Sequence, residues 1–178
     1  LHDALPISSS SLKGKGMTLA KPQAMLLATD YDWISWIDAD CLVTGDVSDL
    51  LVPEQEGLMI RMRDLVENKL RFVSPSRSGA TPHEVLNVWL NDVGERKEPR
   101  YSTTCVANAF TLSRKQLAFV RQWQEHAERV QAQYSLDSPE VQLAYRFSWG
   151  RGFSDELILS SLLAFAHDAP EVFEYKLD

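Results

Sequence analysis

Two aspartates, Asp38 and Asp40, directly follow the apolar segment Trp33-Ile34-Ser35-Trp36-Ile37. This segment predicts a central β-strand covered on both faces. Side chains two positions apart at the end of a strand point to the same side of the sheet, so we expect the two carboxylates to lie together. Neighbouring carboxylates repel each other, and a hard divalent cation such as Mn²⁺ or Mg²⁺ removes that conflict. Asp38 and Asp40 are therefore the predicted metal ligands, at the sheet edge where ligands collect in α/β folds.

The composition is that of an ordinary globular domain and excludes some partners. The chain has 178 residues, 44% of them hydrophobic, and a formal net charge of −7. This charge argues against a nucleic acid bound mainly through its phosphates. No apolar run reaches the roughly 20 residues of a membrane span, and a cytoplasmic or membrane-peripheral location is favoured. Cys41 and Cys105 stand in apolar surroundings and are predicted to be buried free thiols.

The hydrophobic pattern predicts strands that alternate with helices, which indicates an α/β architecture with a mixed sheet flanked by helices. Gly45 ends the first strand region, and Asp46 is expected to cap the short helical turn that follows. Helices are predicted at residues 20–27 and 82–93, in the short turn that ends at residue 51, and in two segments that begin at residues 113 and 154. Strands are predicted at residues 33–37, 57–62, 104–112 and 171–177.

The segment from Trp36 to Leu51, with its Asp-Ala-Asp and its paired leucines, resembles the D-x-D segment of GT-A glycosyltransferases. The likeness is greatest to the glycogenin-like group and to galactosyl- and mannosyltransferases. It implies a GT-A-like, Rossmann-like fold and a metal-dependent enzyme that moves a hexose from a nucleoside diphosphate sugar to a hydroxyl acceptor, which is a glycan, a lipid or a protein. Mn²⁺ or Mg²⁺ on Asp38 and Asp40 would neutralise the departing diphosphate.

Further matches follow in the family's order. Lys21 begins the helix before the strand, where the family often has a lysine facing the donor. Asn108 resembles the asparagine of the strand beside the transferred sugar, although Ala109 and Phe110 stand where a glycine is common. Asp155 and Glu156 resemble the acidic helix start that faces the sugar and the acceptor. The resemblance thus implies substrate binding by Lys21, Asp38, Asn108, Asp155 and Glu156, with Asp155 as the catalytic residue.

Several of these residues also have a purely structural interpretation. Asp38 and Asp40 could simply terminate a strand and cap a turn. Lys21 could be a solvated lysine at a helix end. Asn108 could satisfy local backbone groups, and Asp155 could serve only the helix dipole. A second Asp-x-Asp, Asp30-Tyr31-Asp32, precedes the strand and is interpreted as a solvated turn.

The first residues do not fit the domain. Leu1–Ile7 is similar to a translated sequencing-adapter oligonucleotide, and we expect residues 1–16 to be adapter-derived or disordered. Residues 17–178 are then a single, partial glycosyltransferase domain. In the family, about two βαβ units of roughly 30 residues each precede the D-x-D segment, which implies that the N-terminal, base-binding part is missing and that activity is weak.

Two other functions remain open. A haloacid-dehalogenase-type phosphatase also places Asp-x-Asp after an apolar strand and uses the first aspartate as its nucleophile. That family expects a threonine or valine where Leu42 stands. The second alternative is a non-catalytic remnant of a sugar-nucleotide-binding domain.

Overall fold

The computed structural model describes residues 20–62, 100–101, 105–133 and 155–175, which form a mixed α/β fold. The helices are α1 (Ala20–Met25), α2 (Ser48–Leu51), α3 (Leu117–Gln133) and α4 (Asp155–Phe165). The strands are β1 (Trp33–Ile37), β2 (Leu58–Met62), β3 (Cys105–Ser113) and β4 (Val172–Phe173).

The four strands form one sheet in the order β1-β3-β2-β4. Strands β1 and β2 both run antiparallel to β3, and β4 runs parallel to β2. Leu58 lies opposite Leu112, and Ile60 lies opposite Phe110. All four side chains are almost fully buried. They share one core with α1, α3 and α4, in which the ring of Trp123 lies 6.0 Å from that of Phe110. One face of the sheet is therefore covered by this helix layer.

The pairing of β3 with β2 is interrupted at one point. Ile60 pairs with Phe110, but the next residue, Arg61, pairs with Val106. Residues 107–109 of β3 thus have no partner on β2 and form a bulge, a feature that bends a strand and releases its backbone groups. On its other side the same stretch still meets β1, where Ile37 pairs with Ala109. The bulge lies beside the end of β1, which carries the Asp-Ala-Asp motif.

Gly57 allows β2 and β4 to approach each other. Its φ is +149°, and a Cβ added there would lie 2.6 Å from the Glu171 carbonyl oxygen and 2.8 Å from a ring carbon of Phe173. The main-chain N–H of Leu58 donates to that same Glu171 oxygen at 2.9 Å. Any side chain at position 57 would push these two segments apart.

Most predicted elements are present where the structure describes the chain. The first strand has the predicted bounds. The Asp46 carboxylate accepts the main-chain N–H of Ser48 at 2.9 Å, but the N-cap residue of α2 is Val47, which makes no side-chain cap bond, so Asp46 acts from one residue before the cap. Helix α1 ends earlier than predicted, at Met25. The last strand pairs only at Val172–Phe173. Several predictions lie outside the described residues: the start at 1–16, the helix at 82–93, the first residues of the segments from 104 and from 154, and the end of the last strand at 176–177.

Neither cysteine is in a disulfide, and Cys105 is buried as predicted, whereas Cys41 is half-buried. Across the parts of the chain that the structure covers, no helix is both long and apolar enough to cross a membrane.

Candidate functional site

Helix α1 carries Lys21 into the interior rather than to the solvent. Lys21, Ala24 and Met25 occupy positions i, i+3 and i+4, which lie on one face of a helix. Ala24 and Met25 are buried, and Met25 belongs to the main core. Their packing turns the Lys21 side chain inward, where only 10% of it is exposed. The solvated-lysine interpretation is therefore wrong.

The Lys21 ammonium is held by two carboxylates and one carbonyl. Its Nζ lies 3.0 Å from Asp38 Oδ1 and 2.6 Å from Asp155 Oδ2. It also donates to the Ala107 carbonyl oxygen at 2.6 Å. An ammonium has three donors, so these three acceptors satisfy it fully. Lys21 thus joins α1 to the end of β1, to the bulge of β3 and to the start of α4.

The electrostatics keep this lysine charged. Burial by itself lowers the pKa of Lys21, but the charge and hydrogen bond of Asp155, followed by those of Asp38, outweigh it and raise the pKa above the ordinary 10.5. The side chains of Asp38 and Asp155 remain 28% and 21% exposed. The cluster is therefore buried on its cationic side and open to solvent on its anionic side.

Asp38 is fixed by its own strand and by the neighbouring one. The indole Nε1 of Trp36 donates to Asp38 Oδ1 at 2.5 Å. The Trp36 ring also lies 5.7 Å from the Lys21 ammonium, within the range of a cation–π contact. The main-chain N–H of Asp38 donates to the Asn108 carbonyl oxygen at 2.7 Å. The carboxylate is thus oriented before any ligand arrives.

The bulge of β3 supplies three carbonyl groups to this region. The Ala107 oxygen accepts from Lys21, and the Asn108 oxygen accepts from the main chain of Asp38. The Ala109 oxygen accepts from the hydroxyl of Tyr175 at 3.3 Å. The Asn108 oxygen thus continues the pairing with the end of β1, while the two oxygens released from the β2 ladder, of Ala107 and Ala109, accept from Lys21 and Tyr175.

Asp40 lies in a different environment from Asp38. Strand β1 ends at Ile37, and the N–H of Cys41 donates to the Asp38 carbonyl oxygen at 3.0 Å, which closes a tight turn over residues 38–41. The alternation of side chains in a strand does not apply within such a turn, so it does not place the two carboxylates on one side. Asp40 is exposed in this turn.

The carboxylates of this site suit a cation that is also bound by a substrate. Within the ranges that the structure describes, no group of three or more His, Cys, Asp or Glu side chains could hold a metal ion. Mg²⁺, however, is commonly bound through one or two carboxylates and the phosphates of a substrate. The partly exposed carboxylate of Asp38 and the exposed Asp40 fit that kind of site, and not a closed protein cage.

The other two predicted site residues lie at the rim of the cluster. Asn108 takes part through its backbone, and its side chain is exposed beside the bulge. Glu156 is half-buried in the first turn of α4, and its main-chain oxygen accepts from the hydroxyl of Ser160 at 2.6 Å. The structure therefore brings Lys21, Asp38 and Asp155 into direct contact.

Sequence reasoning missed three participants. Trp36 stands near the end of β1, two residues before Asp38, a spacing that could have indicated its contact. Ala107 takes part through its carbonyl oxygen, which no residue type reveals. Tyr175 is distant in sequence, and no local pattern connects it with Ala109.

An acidic cleft lies next to the bulge. It has a volume of about 350 Å³ and lies between α2 with its following loop, Met59 of β2, and the residues after β4. Tyr175 belongs both to this cleft and to the contacts of the bulge. Its lining residues are Asp49, Val52, Glu54, Gln55, Met59, Glu174 and Tyr175.

Fold and site together define a mixed α/β domain with a lysine–diaspartate ion cluster at a strand end. Comparison of the chain with known protein families, with curated protein sequences and with solved structures gave no match.

Proposed function

We propose that this chain is a GT-A-type glycosyltransferase domain that moves a hexose from a nucleoside diphosphate sugar to a hydroxyl acceptor. One observation carries the proposal: Lys21, Asp38 and Asp155 come from three separate segments and meet in one half-open cluster. The motif likeness selects these same residues for the donor and acceptor site. A purely local role for each of them does not require that they meet.

The roles follow from charge. Asp38 and Asp40 would hold Mn²⁺ or Mg²⁺, which supplies the positive charge that a departing diphosphate needs. Lys21 adds a fixed positive charge on the buried side of the site. In the transfer, the bond between the anomeric carbon and the diphosphate oxygen breaks, and the electron pair leaves with the diphosphate. The acceptor oxygen bonds to the anomeric carbon, and its proton passes to the Asp155 carboxylate.

Asp155 is suited to hold the acceptor. One of its carboxylate oxygens, Oδ2, contacts Lys21, and its side chain is partly exposed at the start of α4. A positioned carboxylate can accept a hydroxyl hydrogen bond and orient the attacking oxygen. Asn108, with its exposed side chain, and Glu156 stand nearby for hydroxyl groups of the sugar.

The test is calorimetric titration of the protein with Mn²⁺ and UDP-, GDP- and dTDP-sugars. We expect one of these donors to bind in the presence of Mn²⁺, and Asp38→Asn to weaken that binding by about tenfold or more, because it removes a charged ligand. Asp32→Asn is the matched control: it changes the second Asp-x-Asp, whose Asp32 side chain is 85% exposed and 3.2 Å from Arg114. Asp32→Asn should bind the donor like the unmodified protein.

Three outcomes separate the candidate functions. Loss of donor binding in Asp38→Asn alone supports the transferase. A covalent aspartyl-phosphate on Asp38, seen as a mass increase after incubation with a phosphate ester, would establish the phosphatase instead. If no sugar nucleotide binds to the unmodified protein, to Asp38→Asn or to Asp32→Asn, and no phosphate is incorporated, the chain is a non-catalytic remnant.

A further inference from the structure

The Lys21 ammonium already sits between carboxylates that a divalent cation would need. It contacts both oxygens of Asp38, at 3.0 and 3.1 Å, and Oδ2 of Asp155 at 2.6 Å. Its side chain is 90% buried, whereas both carboxylates are partly exposed. Within this cluster, the single positive charge of Lys21 faces the two negative charges of Asp38 and Asp155.

We propose that Lys21 is an internal counter-ion that keeps free divalent cations off Asp38, so that the cation enters the site only together with a diphosphate. This inference rests on the proposed function and deepens it, because it assigns a binding order and makes Lys21 a positioning residue for Asp38 and Asp155.

Charge repulsion from Lys21 opposes a cation at Asp38. A cation that approaches Asp38 must share its oxygens with the ammonium and is repelled by it at a separation of a few ångströms, where fixed charges act strongly because water screens them little. A diphosphate changes this balance, because its oxygens can bind the cation and face Lys21 at the same time. Lys21 cannot leave easily, since its third donor is held by the Ala107 carbonyl oxygen at 2.6 Å.

The first measurement uses Mn²⁺ alone, with free Mn²⁺ followed by electron paramagnetic resonance. Lys21→Met removes the charge and keeps an unbranched apolar chain. It should bind Mn²⁺ about tenfold or more tightly than the unmodified protein, because a repelling charge is gone and two carboxylates are released. The double variant Lys21→Met with Asp155→Asn restores the net charge of the cluster and should return toward the affinity of the unmodified protein.

Lys115→Met is the control for the change in overall charge. Lys115 pairs with Glu56 on the surface, where the two side chains are 69% and 60% exposed. Its removal lowers the net charge by the same amount as Lys21→Met and should leave Mn²⁺ affinity unchanged. Equal Mn²⁺ affinity in Lys21→Met, Lys115→Met and the unmodified protein would overturn the proposal.

The unmodified protein gives a second test that holds even if Lys21→Met does not fold. The preformed complex of Mn²⁺ with inorganic pyrophosphate should bind about tenfold or more tightly than Mn²⁺ alone. Equal or tighter binding of Mn²⁺ alone contradicts the binding order. Failure of the proposed function is distinguishable: sugar nucleotides would then not bind, while Lys21→Met would still gain Mn²⁺ affinity.

Discussion

Replacement of Lys21 by methionine should destabilise the fold more than any surface charge change. The ammonium makes two carboxylate contacts and one carbonyl hydrogen bond inside the protein. At an effective dielectric constant of about 20, a contact near 3 Å has a gross Coulomb energy of about 5 kcal/mol. Desolvation of the ions offsets several kcal/mol of this, and breaking a buried pair by removing one partner costs about 3–5 kcal/mol.

The structure places the expected loss of unfolding free energy at the low end of that range. Asp38 and Asp155 keep 28% and 21% of their side-chain surface exposed, so water can partly hydrate them once Lys21 is gone. The Ala107 carbonyl oxygen loses its partner, which adds about 1 kcal/mol or more. We therefore expect Lys21→Met to lower the free energy of unfolding by about 3 kcal/mol. For a chain of this size the melting temperature should fall by about 6–12 °C.

The assay is urea unfolding followed by far-ultraviolet circular dichroism, with Lys115→Met measured beside Lys21→Met. The Lys115–Glu56 pair is largely exposed, and exposed pairs contribute about 0–1 kcal/mol. If the two variants lose the same free energy of unfolding, the ion cluster does not hold the segments together.

Three further predictions concern pH, backbone and thiols. Because the pKa of Lys21 is raised in the folded chain, the folded state keeps a proton that the unfolded state loses above pH 10.5. The free energy of unfolding should therefore fall as the pH rises above 10.5. This fall should be smaller in Lys21→Met. Gly57→Ala should cost about 2 kcal/mol in urea unfolding, whereas Gly45→Ala, with no atom within 4 Å of the new carbon, should stay within about 0.5 kcal/mol. Burial raises the pKa of the Cys105 thiol to about 12, so a thiol reagent at neutral pH should modify only half-buried Cys41 until the chain unfolds; rapid modification of both thiols contradicts the described packing.

The sequence predicted best where one local pattern decided the structure. The apolar run of β1 has no competing period, and its bounds agree with the prediction. A carboxylate just before a helix can accept a free N–H, as Asp46 does from Ser48, although the N-cap residue of α2 is Val47. The mixed α/β class followed from the order of these elements. The finer expectation of a GT-A fold stays a prediction.

Local patterns did not predict the contacts between distant segments. The expectation that Asp38 and Asp40 share one side stays a prediction, although the hydrogen bond from Cys41 to Asp38 turns the chain directly after β1 and removes its premise of an extended backbone. The inward direction of Lys21 depends on the burial of Met25 and on an acceptor, the Ala107 oxygen, 86 residues further along the chain. No window of neighbouring residues contains that information.

The bulge of β3 explains how one lysine can join so many segments. In a regular strand successive carbonyl groups point to opposite sides, so the oxygens of residues 107 and 109 would face β2 while that of Asn108 faces β1. The N–H of Asp38 does bind the Asn108 oxygen. Because β2 skips residues 107–109, the other two oxygens are released, and they accept from Lys21 and from Tyr175. A regular ladder would have used the Ala107 oxygen for pairing and left Lys21 with carboxylates alone. The local irregularity of the sheet is therefore what allows a buried ammonium to stand beside the open oxygens of Asp38.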